Sequence, residues 1–94
     1  DVFHQSEKEF SKYNFELANT DNLLKIFDMT EKESKSLIEN KLSLPAYDQC
    51  LKASHIFNIL DARGVISVAR RAEYIGRIRD LAKNIGQIWL ESQK

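Results

Sequence analysis

The chain has little of what makes sheet proteins, secreted proteins or membrane proteins. It holds one proline and three glycines in 94 residues, too few for a fold built from many tight turns. Its one cysteine, Cys50, has no partner for an internal disulfide. The core alone must therefore hold the fold, and a reducing compartment is the simpler expectation. No uncharged apolar run approaches the ~18 residues of a membrane span. No charged n-region and apolar h-region follow Asp1, so a cytoplasmic location is expected. Since Asp1 is not a methionine, the expectation is a piece of a longer protein. Net charge is also missing: 14 Lys+Arg offset 14 Asp+Glu. The 43% hydrophobic and 30% charged residues fit an ordinary globular chain and exclude a disordered tail or a collagen-like repeat.

What is present is helical periodicity. The segment from about His4 to Asn14 is anchored by Phe3, Phe10 and Phe15, with an irregular stretch expected from Tyr13 to Asn19. Asn19, Thr20 and Asp21 offer N-caps for a second helix to about Asn40. Its apolar face carries Leu23, Leu24, Phe27, Ser34, Leu37 and Ile38, while Glu31, Lys32 and Lys35 are assigned to other faces. Pro45 suits the first position of a third helix that stops at Gly64. That helix is apolar nearly all round, as a central helix would be. Ser67 caps a fourth helix from Val68 to Ser92, whose packing stripe is read as Val68, Ala72, Ile75, Ile78, Ala82, Ile85 and Trp89. Gly76 and Gly86 each cost about 1 kcal/mol inside a helix, for which close helix–helix approach is the usual reason. The fold class that follows is all-α, a small bundle of about four helices with short loops over residues 1–94.

The zero net charge hides an asymmetry. Residues 1–47 carry a net of −3 and residues 48–94 a net of +3, and all five arginines lie between Arg63 and Arg79. A basic stripe of this kind is a weak footprint for phosphate or for an acidic protein surface, and more often a solvated face. Arg71 falls among the fourth helix's packing residues, so a buried pair with Asp61 is expected to fix the register of helices three and four. Arg70 and Arg77, seven residues apart, are assigned to the outside, and Arg70, Arg77, Arg79 and Lys83 are the contact candidates. The sequence has no Cys/His cluster at metal spacing, with His4 and His55 far apart, and no Gly-rich phosphate loop. Cys50 reads as a core thiol, and Phe10, Tyr13, Phe15, Phe27, Phe57 and Trp89 as core aromatics. No self-contained active site emerges, so no catalytic residue is assigned.

Several strings are distinctive when read continuously. They are Lys12-Tyr13-Asn14-Phe15-Glu16, Leu44-Pro45-Ala46-Tyr47-Asp48 and Leu51-Lys52-Ala53-Ser54-His55. They continue in Phe57-Asn58-Ile59-Leu60-Asp61-Ala62-Arg63-Gly64, Ile66-Ser67-Val68, Arg71-Ala72 and Tyr74-Ile75-Gly76-Arg77-Ile78-Arg79. Over essentially all 94 residues the chain resembles the C-terminal part of the α subunit of bacterial glycyl-tRNA synthetase, the α2β2 type. The resemblance implies a class II aminoacyl-tRNA synthetase whose N-terminal catalytic domain, upstream of Asp1, makes glycyl-adenylate from glycine and ATP with Mg as cofactor. It also implies partnership with the β subunit, tRNA(Gly) and a second α subunit. The present stretch would be a helical domain, without cofactor or catalysis of its own, that helps dock tRNA or the β subunit. The alternative is a structural domain that buttresses the catalytic domain or the α–α contact. Tyr13, Asn14 and Glu16 lie close to the catalytic part in chain order. The family pattern Ser-Val-Thr-Glu-Arg is replaced by Ser67-Val68-Ala69-Arg70-Arg71. A capping-box glutamate is thereby exchanged for a cation near the positive helix end, each effect being worth about 0.5–1 kcal/mol.

Overall fold

The computed structural model describes residues 1–94 and contains helices only. These are α1 (Val2–Lys12), a π-helical segment (Tyr13–Leu17), α2 (Thr20–Glu39), α3 (Ser43–Ala62) and α4 (Val68–Ser92). The all-α bundle expected from the periodicity is the fold.

Local chemistry sets the ends of the helices. The Asn19 side chain accepts from the backbone N–H of Asn22 and opens α2. The Ser67 hydroxyl accepts from the N–H of Arg70 at 3.2 Å and opens α4. Pro45 is not the first residue of α3, which starts two residues earlier at Ser43. It stays within the first turn, where a missing N–H leaves no bond unmade.

Both α2 and α3 end in the same hydrogen-bonded motif. After α2, Leu42 N–H reaches Leu37 O and Lys41 N–H reaches Ile38 O. After α3, Val65 N–H reaches Leu60 O and Gly64 N–H reaches Asp61 O. Each motif needs one left-handed residue. Gly64 supplies it at φ +71°, as its sequence position suggested, but the α2 end uses Lys41 at φ +61°. A side chain at that conformation costs about 1 kcal/mol. Lys41→Gly is therefore expected to raise stability by about 0.5–1 kcal/mol, read as a higher urea midpoint at unchanged m-value. The Lys41–Glu91 ion pair that it removes lies in water, 3.5 Å long with Lys41 69% exposed, and offsets little.

α3 is the central element, and it alone packs against α2, α4 and the π-helical segment. Three clusters run along it. Ala18 and Leu23 meet Ile59 and Leu60 at one end. Phe27, Ala53, Phe57 and Tyr74 form the middle. Ala46, Cys50, Leu81 and Ile85 close the other end. Ile66 packs onto the first two clusters and ties the α3–α4 connection to the core. Between α2 and α3, the fully buried Ser34 hydroxyl donates to Ala46 O at 2.9 Å, so its polar group is satisfied where the two helices meet. Burial pushes the Cys50 thiol up, in line with its expected place in the core.

α4 is turned about its axis by about one residue, roughly 100°, from the expected phase. Its buried residues are Tyr74, Leu81, Ile85 and Ile88, whereas Val68 is 89% and Trp89 47% exposed. The expected close approaches at Gly76 and Gly86 are absent, since an added Cβ at either would meet nothing within 4 Å. Phe10, Tyr13 and Phe15 are exposed instead of buried, Trp89 is half-exposed, and Tyr74 joins the middle of the core. α1 buries no residue and touches only the π-helical segment that follows it. The projecting α1 accounts for a radius of gyration of 15.3 Å, above the ~12 Å of a compact chain this long.

Candidate functional site

The phase of α4 decides what each arginine does. Arg77 lies on the packing side, and so does Glu31 on α2, although the sequence pattern assigned both to the outside. Glu31 is 8% exposed. Arg77 Nε donates to Glu31 Oε2 at 2.9 Å and Nη2 to Oε1 at 2.6 Å, a bidentate pair. Nη2 also meets Asp28 Oδ1 at 2.8 Å. The guanidinium lies 4.8 Å from the Phe27 ring centroid and 5.0 Å from that of Tyr74. Those rings meet edge to face at 4.8 Å, and Tyr74 stacks on Phe57 at 6.1 Å. The hydrogen bonds from Arg77 hold the Glu31 carboxyl below the usual carboxylate range, against the opposing effect of burial. Hydrogen bonding to Glu31 in turn raises the Arg77 pKa. Arg77 is thus a clamp between α2 and α4, and it is withdrawn as an outward contact candidate.

The Asp61–Arg71 pair forms, with Nε 3.3 Å from Oδ2, but it is not buried. The Arg71 side chain is 56% exposed and that of Asp61 31%. At that exposure the pair is worth at most about 1 kcal/mol, too little to set the register of α3 and α4. Arg70 is half committed. It lies 3.7 Å from Glu73, one turn on and equally exposed, and 5.7 Å from the Tyr74 ring centroid. Arg63 is fully used: Nη1 donates to Ala18 O at 2.8 Å and to Asn14 O at 3.3 Å, pinning the π-helical segment to the C-terminal end of α3. No role for Arg63 is legible in the helical pattern of the sequence. Its place just before Gly64, where a long side chain can reach carbonyls of another element, was the available signal.

Arg79 and Lys83 remain. They sit one turn apart on α4, exposed, and neither makes a hydrogen bond or an ion pair within the chain. Arg79 is the one arginine of the five with no such partner. Beside them α3 and α4 leave an open apolar groove of about 290 Å³, lined by Leu44, Tyr47, Ala82, Ile85, Gly86 and Trp89.

No set of three or more His, Cys, Asp or Glu side chains is placed to hold a metal ion. Arg79 and Lys83 lie on an open helix face with no acidic cluster beside them, so these residues do not fit a nucleotide–metal site. No helix is long and apolar enough to cross a membrane. The exposed pair Arg79 and Lys83 beside the groove can meet a charged or apolar surface. This defines a small all-helical domain with a partly uncommitted α4 face. The family model of the glycyl-tRNA synthetase alpha subunit matches residues 1–94, and the chain belongs to that family. The family is that of a ligase which joins glycine to its tRNA, and its alpha subunit is by description one part of a multi-subunit enzyme.

Proposed function

We propose that this chain is a non-catalytic helical domain of a class II glycyl-tRNA synthetase, and that it docks a neighbouring part of the enzyme through the outer face of α4. The observation that carries the reading is the free state of Arg79 and Lys83 beside an apolar groove, while every other arginine has a partner within the fold. A protein surface, the β subunit, suits this face better than tRNA(Gly). Two free cations on this face of α4, in a chain of zero net charge, give few phosphate contacts for RNA affinity at physiological salt. Glycyl-adenylate chemistry, with its ATP and Mg, is assigned to the catalytic domain of the subunit.

The rival reading is a domain that only supports the catalytic domain or the α–α contact. The internal pairing of Arg70, Arg71 and Arg77 favours it, since those side chains are spent on the bundle.

Arg79→Glu with Lys83→Glu in the complete enzyme separates the two. Docking requires glycine transfer to tRNA to fall at least tenfold, about 1.4 kcal/mol in the barrier. Glycine-dependent adenylate formation should hold, and β subunit should be lost on co-purification. If tRNA affinity drops while β stays bound, the partner is tRNA. If both rates are unchanged, this face is solvated and the domain is a structural support.

A further inference from the structure

Residues 13–17 wind more widely than an α-helix. Ala18 N–H reaches Tyr13 O at 2.7 Å, five residues back, where an α-helix would have it reach Asn14 O. The wide register therefore takes from Asn14 O the donor that an α-helix would give it. Such a register is rare, and a single turn of it inside a helix needs something to select it.

Arg63 supplies the missing donor. Its Nη1 reaches Asn14 O at 3.3 Å and Ala18 O at 2.8 Å. None of the ion pairs of the fold involves Arg63, so its charge is spent on carbonyls of another element. Arg63 also caps the C-terminal end of α3. The cation thus stands where two helices end, and both ends carry partial negative charge. Ala18 is 3% exposed, seated among Leu23, Ile59 and Leu60, and its extended backbone (ψ 135°) stops the winding there. With that end fixed in the core, the register of residues 13–17 decides the rotation of everything before them.

We propose that Arg63 is a positioning residue for aminoacylation: by holding Asn14 O and Ala18 O it selects the wide register and so fixes the rotation of α1, and of the chain before it, about the bundle. The proposal rests on the reading that a catalytic domain precedes this helical one, and it requires neither Arg79 nor Lys83. Wound as α, the same five residues would turn α1 by about one residue, roughly 100°, and shift it by about 1.5 Å. Adenylate formation needs only the catalytic domain and tolerates that turn. Transfer of glycine brings the adenylate to a tRNA held by other parts of the enzyme, and a misplacement of this size is costly there.

The test is kinetics of both half-reactions in the complete enzyme, with amide hydrogen exchange as a check on folding. Arg63→Ala is expected to lower kcat of transfer at least about tenfold at unchanged rate of adenylate formation. Arg63→Lys should fall between, since an ammonium keeps the charge and loses the planar fork. Faster exchange should be confined to residues 13–18. The decisive variant deletes Leu17, which is 67% exposed. Ala18 N–H then meets the same Tyr13 O four residues back, an α-helical bond, so α1 keeps its native rotation without the wide register. The deletion alone should support transfer, and Arg63→Ala in that background should cost less than about twofold. Three results overturn the proposal: unchanged transfer in Arg63→Ala, no recovery on deletion of Leu17, or protection lost throughout α2, α3 and α4. If adenylate formation falls together with transfer and the deletion restores both, the register role stands and the non-catalytic reading of the domain fails. Unchanged transfer in Arg79→Glu with Lys83→Glu sinks the docking face alone.

Discussion

Arg77→Ala is expected to destabilise the domain by about 2–4 kcal/mol, a large share of the ~5–14 kcal/mol available to a chain of this length. The substitution leaves Glu31 charged and nearly buried with no counter-ion, and it uncovers the faces of Phe27 and Tyr74. The figure lies below that of a wholly buried pair because the Arg77 side chain is 26% exposed and Asp28 sits in water. Thermal unfolding should move down by roughly 10–20 °C. Arg77→Lys should recover only part of the loss, since an ammonium cannot make the two parallel bonds to Glu31.

The pH dependence has a definite sign. The Glu31 carboxyl is held below its ordinary value of 4.5 in the folded protein. Its contribution is complete above that value and is lost as pH falls through the lower folded pKa. The gap between wild type and Arg77→Ala should therefore narrow under acid conditions. The Arg77 guanidinium is pushed further up and stays charged throughout. In Glu31→Gln the acid limb of the stability profile should flatten. A gap between wild type and Arg77→Ala that stayed constant from neutral to acid pH would show that Arg77 acts by packing alone.

Phe27→Ala should cost about 3–5 kcal/mol, enough to leave the domain marginal at 37 °C. Phe27 is fully buried in the middle cluster, edge-on to Tyr74 and beneath the Arg77 guanidinium. Truncation opens a cavity in the middle cluster, where α2, α3 and α4 meet, and neighbouring side chains cannot all collapse into it. Phe27→Leu keeps much of the volume and removes the ring. The Arg77→Ala cost measured in that background should shrink by about 1 kcal/mol, the part of the clamp that belongs to the ring face. Additive losses in this cycle would assign Phe27 to packing only.

Much of the fold was legible in the chain. Asn19 and Ser67 mark helix starts, Gly64 marks a stop, and the near-uniform apolarity of α3 marks the central helix. These are local signals, and the backbone chemistry of a helix end depends on a few adjacent residues. Lys41 escaped because no residue type advertises a left-handed conformation except glycine and, less strongly, asparagine. The site was less legible. Of the four outward candidates, Arg79 and Lys83 are free, Arg70 is loosely paired, and Arg77 is the inner clamp.

That reversal has a single cause. α4 carries two overlapping apolar stripes that share Ile78 and Ile85. One runs through Val68, Ala72, Ala82 and Trp89, the other through Tyr74, Leu81 and Ile88. The sequence by itself determined that α4 is a helix, where it starts, and that it is amphipathic. It did not determine which stripe turns inward, because periodicity reports spacing and not phase against a neighbour. The tertiary structure decided that through α2: Glu31 and Arg77 can enter the seam only together, since either charge alone would be costly to bury. Their pairing with Phe27 and Tyr74 sets the rotation of α4, takes Arg77 in, leaves Arg79 and Lys83 out, and opens the other stripe as a groove.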